Sequence, residues 1–214
     1  MTADETPTIF TAETLTEAFN ELGQLARADG RIIDIAVYGG SCLMLVSNFR
    51  VATGDVDVVA AHDQAFLDNA AQQIAGPRGW PRDWLNDGVR TYLSPQVEGF
   101  EQHTLFRTYP DEAMPGLRVF VPTPEYMLAM KLMALRLDPA GERNDLDDIL
   151  NLMQVVGLKE KANIIGFAGR FYPEARASGK LALSVDYLWD EYTRRQQKAD
   201  HDAPQYLGRG GAAR

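Results

Sequence analysis

The feature that most constrains this chain is a glycine turn between two apolar segments, followed by two closely spaced carboxylates. An apolar run over 32–38 ends at Gly39-Gly40-Ser41, and a second begins inside Asp55-Val56-Asp57. Runs rich in β-branched residues favour strands, and paired glycines favour a tight turn. The pattern predicts a strand, a turn, a short helix and a second strand that carries both aspartates.

This arrangement is suited to binding a nucleotide and a metal ion. Amides of Gly40 and Ser41 at a helix N-terminus are able to hold a phosphate. Asp55 and Asp57, two residues apart on a strand, point to one face and can share a divalent cation such as Mg²⁺. Each part alone has a simpler interpretation. The aspartates could mark a solvated strand end, the glycines an ordinary turn, and Ser41 a helix cap. Together, the parts favour a nucleoside triphosphate site.

Charge and cysteine content limit the partners and the cellular compartment that this chain is suited to. A net charge of -9 lacks the general electrostatic footprint of a nucleic-acid binder, although a local basic patch stays open. No apolar run approaches the roughly 18 to 20 residues that span a bilayer. The acidic N-terminus does not resemble a secretory signal, and Cys42, the single cysteine, cannot form an internal disulfide. We therefore expect a cytoplasmic protein without a membrane segment, with Cys42 in the core.

Hydrophobic spacing predicts a mixed fold of the α+β class. We expect a small sheet flanked by helices, followed by a C-terminal helical bundle. The predicted helices lie near 11–29, 39–47, 63–74, 124–137, 146–156, 159–171 and 181–192, and the predicted strands near 32–37, 56–60, 89–93, 103–109 and 117–121. Gly76-Pro77 is expected to stop the third helix, and residues 1–10 are expected to be disordered or loosely docked.

This pattern divides the chain into an α/β domain over 1–123, a helical domain over 124–197 and a mobile tail over 198–214. A cleft between the two domains is a natural ligand site.

The motifs resemble those of the nucleotidyltransferase superfamily, in the version of the AbiEii-like enzymes of toxin–antitoxin and abortive-infection systems. Residues Gly39-Gly40-Ser41, Arg50, Thr53 and Asp55-Val56-Asp57 resemble the first signature of that family. The stretches 131–136 and 143–149 resemble its helical lysine motif and the aspartate motif that follows.

The resemblance implies an enzyme that moves a nucleoside monophosphate from a triphosphate to an RNA 3′ end or a protein hydroxyl. It implies Mg²⁺ at Asp55 and Asp57, catalysis by these aspartates with Lys131, and nucleotide binding by Gly39, Gly40, Ser41, Arg50 and Thr53. It also implies the toxin of a toxin–antitoxin pair, with an antitoxin protein as partner.

Lys131 also attracts attention without the family, because its predicted helix is strongly apolar. Such a lysine either extends to the surface or meets an anion, and a triphosphate is a suitable anion. Arg136 is placed to pair with Asp145 or Asp148, which share a helical face. Those two aspartates then either support catalysis or form an ion-pair cluster that joins two helices, and the second reading is favoured.

Two departures from the family pattern keep other functions open. Many nucleotidyltransferases carry a third carboxylate on a later strand, where this chain has Phe120, and Asn144 stands where a basic residue is common. Glu98, Glu101 or Asp111 would have to replace the missing carboxylate. A catalytically silent nucleotide-binding protein is one alternative.

The other alternative is a DNA-binding regulator in the helical half. It would depend on the basic residues of the predicted helices there to contact DNA. These residues are Lys159, Lys161, Arg170 and Arg194-Arg195.

Overall fold

The computed structural model describes residues 8–47, 49–135, 143–173 and 179–202. Within these ranges the chain alternates helices and strands up to residue 122 and is helical after it. The helices are α1 (Ala12–Ala28), α2 (Gly39–Val46), α3 (Gln64–Arg78), α4 (Pro124–Ala134), α5 (Arg143–Val156), α6 (Asn163–Gly169) and α7 (Lys180–Asp202). The strands are β1 (Ile33–Val37), β2 (Val56–Ala60), β3 (Leu85–Asn86), β4 (His103–Pro110) and β5 (Pro115–Pro122).

The strands form one five-stranded mixed sheet in the order β3-β2-β1-β5-β4. β1 is antiparallel to β2 and parallel to β5, and β4 returns antiparallel to β5 as a hairpin. The end of β1, the start of β2 and the end of β5 consequently meet at one edge of the sheet. The glycine turn and the two aspartates lie at this edge, as the sequence pattern predicts.

Helix α1 covers one side of the sheet and is fixed at its start by a reciprocal cap between Thr11 and Thr14. Its apolar face is fully buried, and it packs across β4 and β5. Contact is closest where Gly23 meets Gly116, since an ideal Cβ on Gly116 would lie 1.9 Å from the Gly23 carbonyl oxygen. This crossing requires glycine because a side chain would push helix and strand apart.

The helical half is built on α4, which begins with a Thr123 cap and Pro124 in its first turn. It packs against β5, α5 and α6, and α7 closes over α5 and α6. Buried residues of both halves belong to one continuous core. The predicted domain boundary at 123 falls at the α4 cap and stays a prediction.

Most predicted elements are confirmed, including the α+β class and β2 at its expected bounds. Gly30, with φ 70°, follows the end of α1, where glycine readily adopts the left-handed conformation. Residues 1–7 and the tail beyond 202 lie outside the described residues, so their predicted disorder is untested. Phe10, by contrast, is fully buried and pairs with Thr53, so the N-terminal segment is firmly docked by residue 10.

Two predictions in the α/β half are wrong. Helix α3 does not stop at Gly76-Pro77 but continues to Arg78 and ends at Gly79, with φ 65°. Pro77 removes one hydrogen bond from the last turn, and Arg78 anchors that turn through a 2.7 Å ion pair with Glu21 of α1.

The segment predicted as a strand over 89–93 is a short 3-10 helix, Gly88–Tyr92. Side chains redirect the backbone here: the Gly88 amide donates to the Asn86 side chain at 2.9 Å, and Arg90 pairs with Asp87 at 3.1 Å. The short strand β3 just before it was not predicted. Within the described ranges no helix is both long and apolar enough to cross a bilayer.

We expect Gly116→Ala to lower the free energy of unfolding by about 2 kcal/mol, because its Cβ overpacks the α1–β5 crossing. Urea unfolding followed by tryptophan fluorescence measures the change. Gly166→Ala is the control, since open space surrounds that helical glycine and alanine there adds up to about 1 kcal/mol. Equal stability of the two variants would contradict the close crossing.

Candidate active site

Gly39 places the carboxylate of Asp57 directly over the backbone of the glycine turn. Its φ of 61° lies in the left-handed region, and an ideal Cβ on Gly39 would lie 2.5 Å from Oδ2 of Asp57. Glycine is required on both counts. The predicted link between the turn and the aspartate strand is therefore a direct contact.

Gly40 makes room for the loop that precedes the aspartates. An ideal Cβ on Gly40 would lie 2.9 Å from Nη1 of Arg50 and 3.1 Å from Oγ1 of Thr53. Thr53 in turn donates its hydroxyl to the Asp55 carbonyl at 3.1 Å and exchanges backbone hydrogen bonds with Phe10. The signature residues before β2 thus pack together on the glycine turn and fix where β2 begins.

Asp57 carries a carboxylate without a partner. Among the residues that the structure describes, none donates a hydrogen bond to this carboxylate or forms an ion pair with it. Burial and, to a lesser degree, the negative charge of Asp55 raise the pKa of Asp57 to about 6, against the opposing effect of Lys131. A half-buried, unpartnered carboxylate beside a second carboxylate is a position that a cation would stabilise.

Behind Asp57, four charged side chains form a compact network. Asp148, only 2% exposed, accepts two hydrogen bonds from Arg50, at 3.0 and 2.6 Å. Lys131 contacts the same carboxylate at 2.9 Å and also reaches Asp145 at 2.7 Å. The predicted ion-pair cluster between α4 and α5 therefore exists, and it also includes Arg50 from the loop before β2.

Arg136, the predicted partner of this cluster, lies outside the described residues, as does the side chain of Asn144. Among the described residues, Lys131 and Arg50 supply the positive charge of the cluster.

A cleft of about 170 Å³ opens beside Asp57, between the two predicted domains. Its lining combines charged and apolar side chains. The lining residues are Gly39, Asp57, Gly88, Val89, Tyr92, Met127, Met130, Lys131, Ala134 and Asp145. A nucleotide, with a charged phosphate tail and a flat base, offers contacts to both kinds of side chain.

Ser41 is not the N-cap of α2, because the helix begins at Gly39 and Tyr38 stands at the cap position. The buried Ser41 hydroxyl donates to the Tyr38 carbonyl at 2.8 Å, one turn back. Tyr38 provides no side-chain cap for α2, so the first amides of this helix meet no capping side chain. The expected phosphate contact of Ser41 stays a prediction.

The strand position of the third carboxylate is occupied by Phe120, whose Cα pairs with Ala36 of β1. Asp111 cannot replace it, because the β4–β5 turn lies at the opposite end of the sheet from Asp57. Glu98 and Glu101 are exposed in the loop before β4. Over residues 8–47, 49–135, 143–173 and 179–202, no group of three or more acidic, histidine or cysteine side chains is arranged to bind a metal ion.

Tyr38 and His103 form a hydrogen-bonded pair that the sequence does not reveal. Tyr38 Oη lies 2.8 Å from Nε2 of His103, and Tyr126 and Phe100 pack against the imidazole. Burial lowers the pKa of His103 to about 4, so it is neutral near pH 7. Only strand register, which sequence does not fix, brings these residues together.

The remaining residues that could carry chemistry are buried in the core, exposed at the surface or engaged in ion pairs. Cys42 is buried, and burial raises the pKa of its thiol to about 12, which agrees with a core residue. His62 is exposed at the surface. Lys161 pairs with Asp186, Arg194 with Glu191 and Arg195 with Asp147. Lys159 and Arg170 are exposed, and the DNA-binding alternative stays a prediction.

Comparison with known proteins gives little beyond this geometry. No family model matches the sequence, and no curated protein matches it significantly. The chain is similar to the crystal structure of an antigenic nucleotidyltransferase-like protein from Paracoccidioides brasiliensis, at 15% identity and a TM-score of 0.41. The match covers 91% of this chain and 94% of that one. At this level of similarity the match supports no inference about activity.

Asp148→Asn should cost about 3 kcal/mol of unfolding free energy, since it removes the buried carboxylate that Arg50 and Lys131 share. Chemical denaturation measures the loss. Asp147→Asn is the matched control in the same helix, because its exposed pair with Arg195 contributes less than about 1 kcal/mol. Comparable losses in both variants would show that the network does not join the two halves.

Asp57→Asn should stabilise the protein at pH 7 and flatten its pH dependence. The carboxyl pKa is higher in the folded chain, at about 6, than in the unfolded chain, so folding favours the protonated form. Wild-type unfolding free energy therefore falls as pH rises from about 4 to 6, and the asparagine variant lacks this fall. Urea midpoints at pH 4 and pH 7 measure it; a wild type and variant with parallel profiles would refute the shift.

Proposed function

We propose that this protein is a metal-dependent nucleotidyltransferase of the AbiEii-like type. It would transfer a nucleoside monophosphate from a nucleoside triphosphate to a hydroxyl acceptor. The proposal rests on one observation above all. The unpartnered Asp57 carboxylate, held over the backbone of Gly39 beside Asp55, faces a cleft that also contains Lys131.

The charges of the site support a divalent cation at Asp55 and Asp57. In the cluster, Arg50 and Lys131 balance Asp145 and Asp148, so the two strand aspartates remain as uncompensated negative charge among the described residues. Magnesium is commonly bound by one or two carboxylates, with water and substrate phosphates completing its oxygen ligands. The two aspartates fit this requirement without a third protein ligand.

When bound, Mg²⁺ would neutralise phosphate charge and favour the departure of pyrophosphate. The chain itself would position the substrate. Lys131 offers a positive charge at the cleft, and the amides at the start of α2 offer donors for the phosphate tail. Val89 and Tyr92, with the methionines of α4, provide an apolar surface for the base.

In the proposed reaction an acceptor oxygen bonds to the α-phosphorus. The bond from that phosphorus to the bridging oxygen breaks, and pyrophosphate leaves with the electron pair. The acceptor proton passes to solvent. Positioning and electrostatics supply most of such catalysis.

Arg50 takes a supporting role in this proposal. Its two hydrogen bonds to Asp148 and its contact with Gly40 hold the glycine turn against α5. Thr53 similarly fixes the backbone at Asp55. Both residues would thus shape the nucleotide site more than they contact the nucleotide.

The acceptor is an RNA 3′ end or a protein hydroxyl, and the net charge of -9 favours the protein hydroxyl over an extended RNA surface. By family resemblance we further propose a cytoplasmic toxin that an antitoxin protein neutralises.

One observation favours a second candidate, a nucleotide-binding protein that does not catalyse transfer. Phe120 stands where a general base or third metal ligand is common, and its ring packs 5.1 Å from that of Phe100. An aromatic side chain at this place accepts no proton. Nucleotide binding without turnover would establish this candidate.

Incubation with Mg²⁺, each labelled nucleoside triphosphate and total cellular RNA or protein tests the proposal. We expect label in one acceptor class with the wild type and at least a hundredfold less with Asp55→Asn/Asp57→Asn, because those carboxylates hold the cation. The control Asp83→Asn/Asp111→Asn makes the same charge change at exposed positions away from the cleft. Equal transfer by all three proteins would disprove the assignment, and no transfer by any would favour the silent candidate.

A further inference from the structure

We infer that Asp145 sets the affinity and selectivity of the cleft for phosphate by competing with the ligand for Lys131. The inference rests on the proposed function, because it assumes that the anion bound beside Asp57 is a polyphosphate. It adds a role that the aspartate motif does not itself indicate. Asp145 would act as a displaceable anion that occupies the lysine until a more highly charged ligand arrives.

The geometry shows that two carboxylates already share the positive charge of Lys131. Its Nζ atom lies 2.7 Å from Oδ1 of Asp145 and 2.9 Å from Oδ2 of Asp148. Its side chain is only 13% exposed. An ammonium group has three N–H donors, so a phosphate that approaches through the cleft gains the full charge of the lysine only when one of these carboxylates moves away.

Of the two carboxylates, Asp145 is the one that can leave. Asp148 is 2% exposed and is also held by two hydrogen bonds from Arg50. Asp145 is 49% exposed, and Arg50 approaches it only to 3.8 Å. Asp145 also lines the cleft beside Lys131, so its carboxylate can turn into water while Asp148 keeps the lysine in place.

The exchange favours ligands with high charge density. When Asp145 moves away from Lys131, the protein loses the interaction energy of a partly exposed ion pair. A single weakly charged anion regains about the same energy and no more. A polyphosphate carries several charges and regains the lost interaction with additional contacts in the cleft. The pair would therefore reject inorganic phosphate more strongly than it weakens triphosphate binding.

Replacing Asp145 should then strengthen phosphate binding, which is the opposite of what loss of a supporting residue does. Asp145→Asn keeps the side-chain shape but removes the competing charge. We expect it to bind magnesium tripolyphosphate roughly threefold to tenfold more tightly than the wild type, and to gain still more for inorganic phosphate.

Asp147→Asn is a closely matched control. Asp147 lies two residues away in α5, is 50% exposed, and pairs with Arg195 outside the cleft. It removes the same charge from the same helix, so it reports the general effect of a less acidic protein. Lys131→Met tests whether the lysine contributes to anion binding at all.

Isothermal titration of the full chain with magnesium tripolyphosphate and with sodium phosphate measures these affinities. Tighter binding by Asp145→Asn than by Asp147→Asn, with binding lost in Lys131→Met, supports the competition. Equal affinities in the two asparagine variants, or weaker binding by Asp145→Asn, would overturn it while the wild type still binds. If the wild type does not bind tripolyphosphate, the proposed function itself fails, and that result is distinct from the first.

Discussion

Asp148 is the residue on which the arrangement of the site depends. Its buried carboxylate bonds Arg50 of the loop before β2 and Lys131 of α4, while it stands on α5. One carboxylate therefore ties the sheet edge to two helices of the other half. Because both cations are largely buried, each needs this partner, and the cleft beside them retains its shape only while the network is complete.

A second constraint is the space that two glycines leave open. Gly39 leaves room for the Asp57 carboxylate and Gly40 for Arg50 and Thr53. The same turn that is suited to a phosphate therefore already serves the protein's own side chains. Glycine is therefore required at these positions for packing, apart from its proposed role in binding phosphate. The two roles are compatible, because the close approach that Gly39 permits also brings Asp57 to the cleft.

Electrostatics divides the acidic side chains of the site into two groups. Asp145 and Asp148 are matched by cations, whereas Asp55 and Asp57 repel each other at the start of β2. A motif of closely spaced aspartates in sequence does not distinguish these situations. The distinction matters for chemistry, because only the unmatched pair has charge to offer to a metal ion, and the matched pair controls the lysine.

Sequence alone determined the local part of this protein. Strand, glycine turn, helix and aspartate strand follow from residue types within thirty positions of one another, and so does the proximity of Gly39-Gly40-Ser41 to Asp57. The wrong assignment over 89–93 arose where local side-chain contacts overrode an apolar pattern. The wrong end of α3 lies where an ion pair joins Arg78 to the distant Glu21 of α1. The pairing of Arg50 with Asp148, ninety-eight residues away, and of Tyr38 with His103 was decided by tertiary structure. Periodicity places a residue on a face, but only packing of the helices and the strand register decides which distant charge or ring it meets.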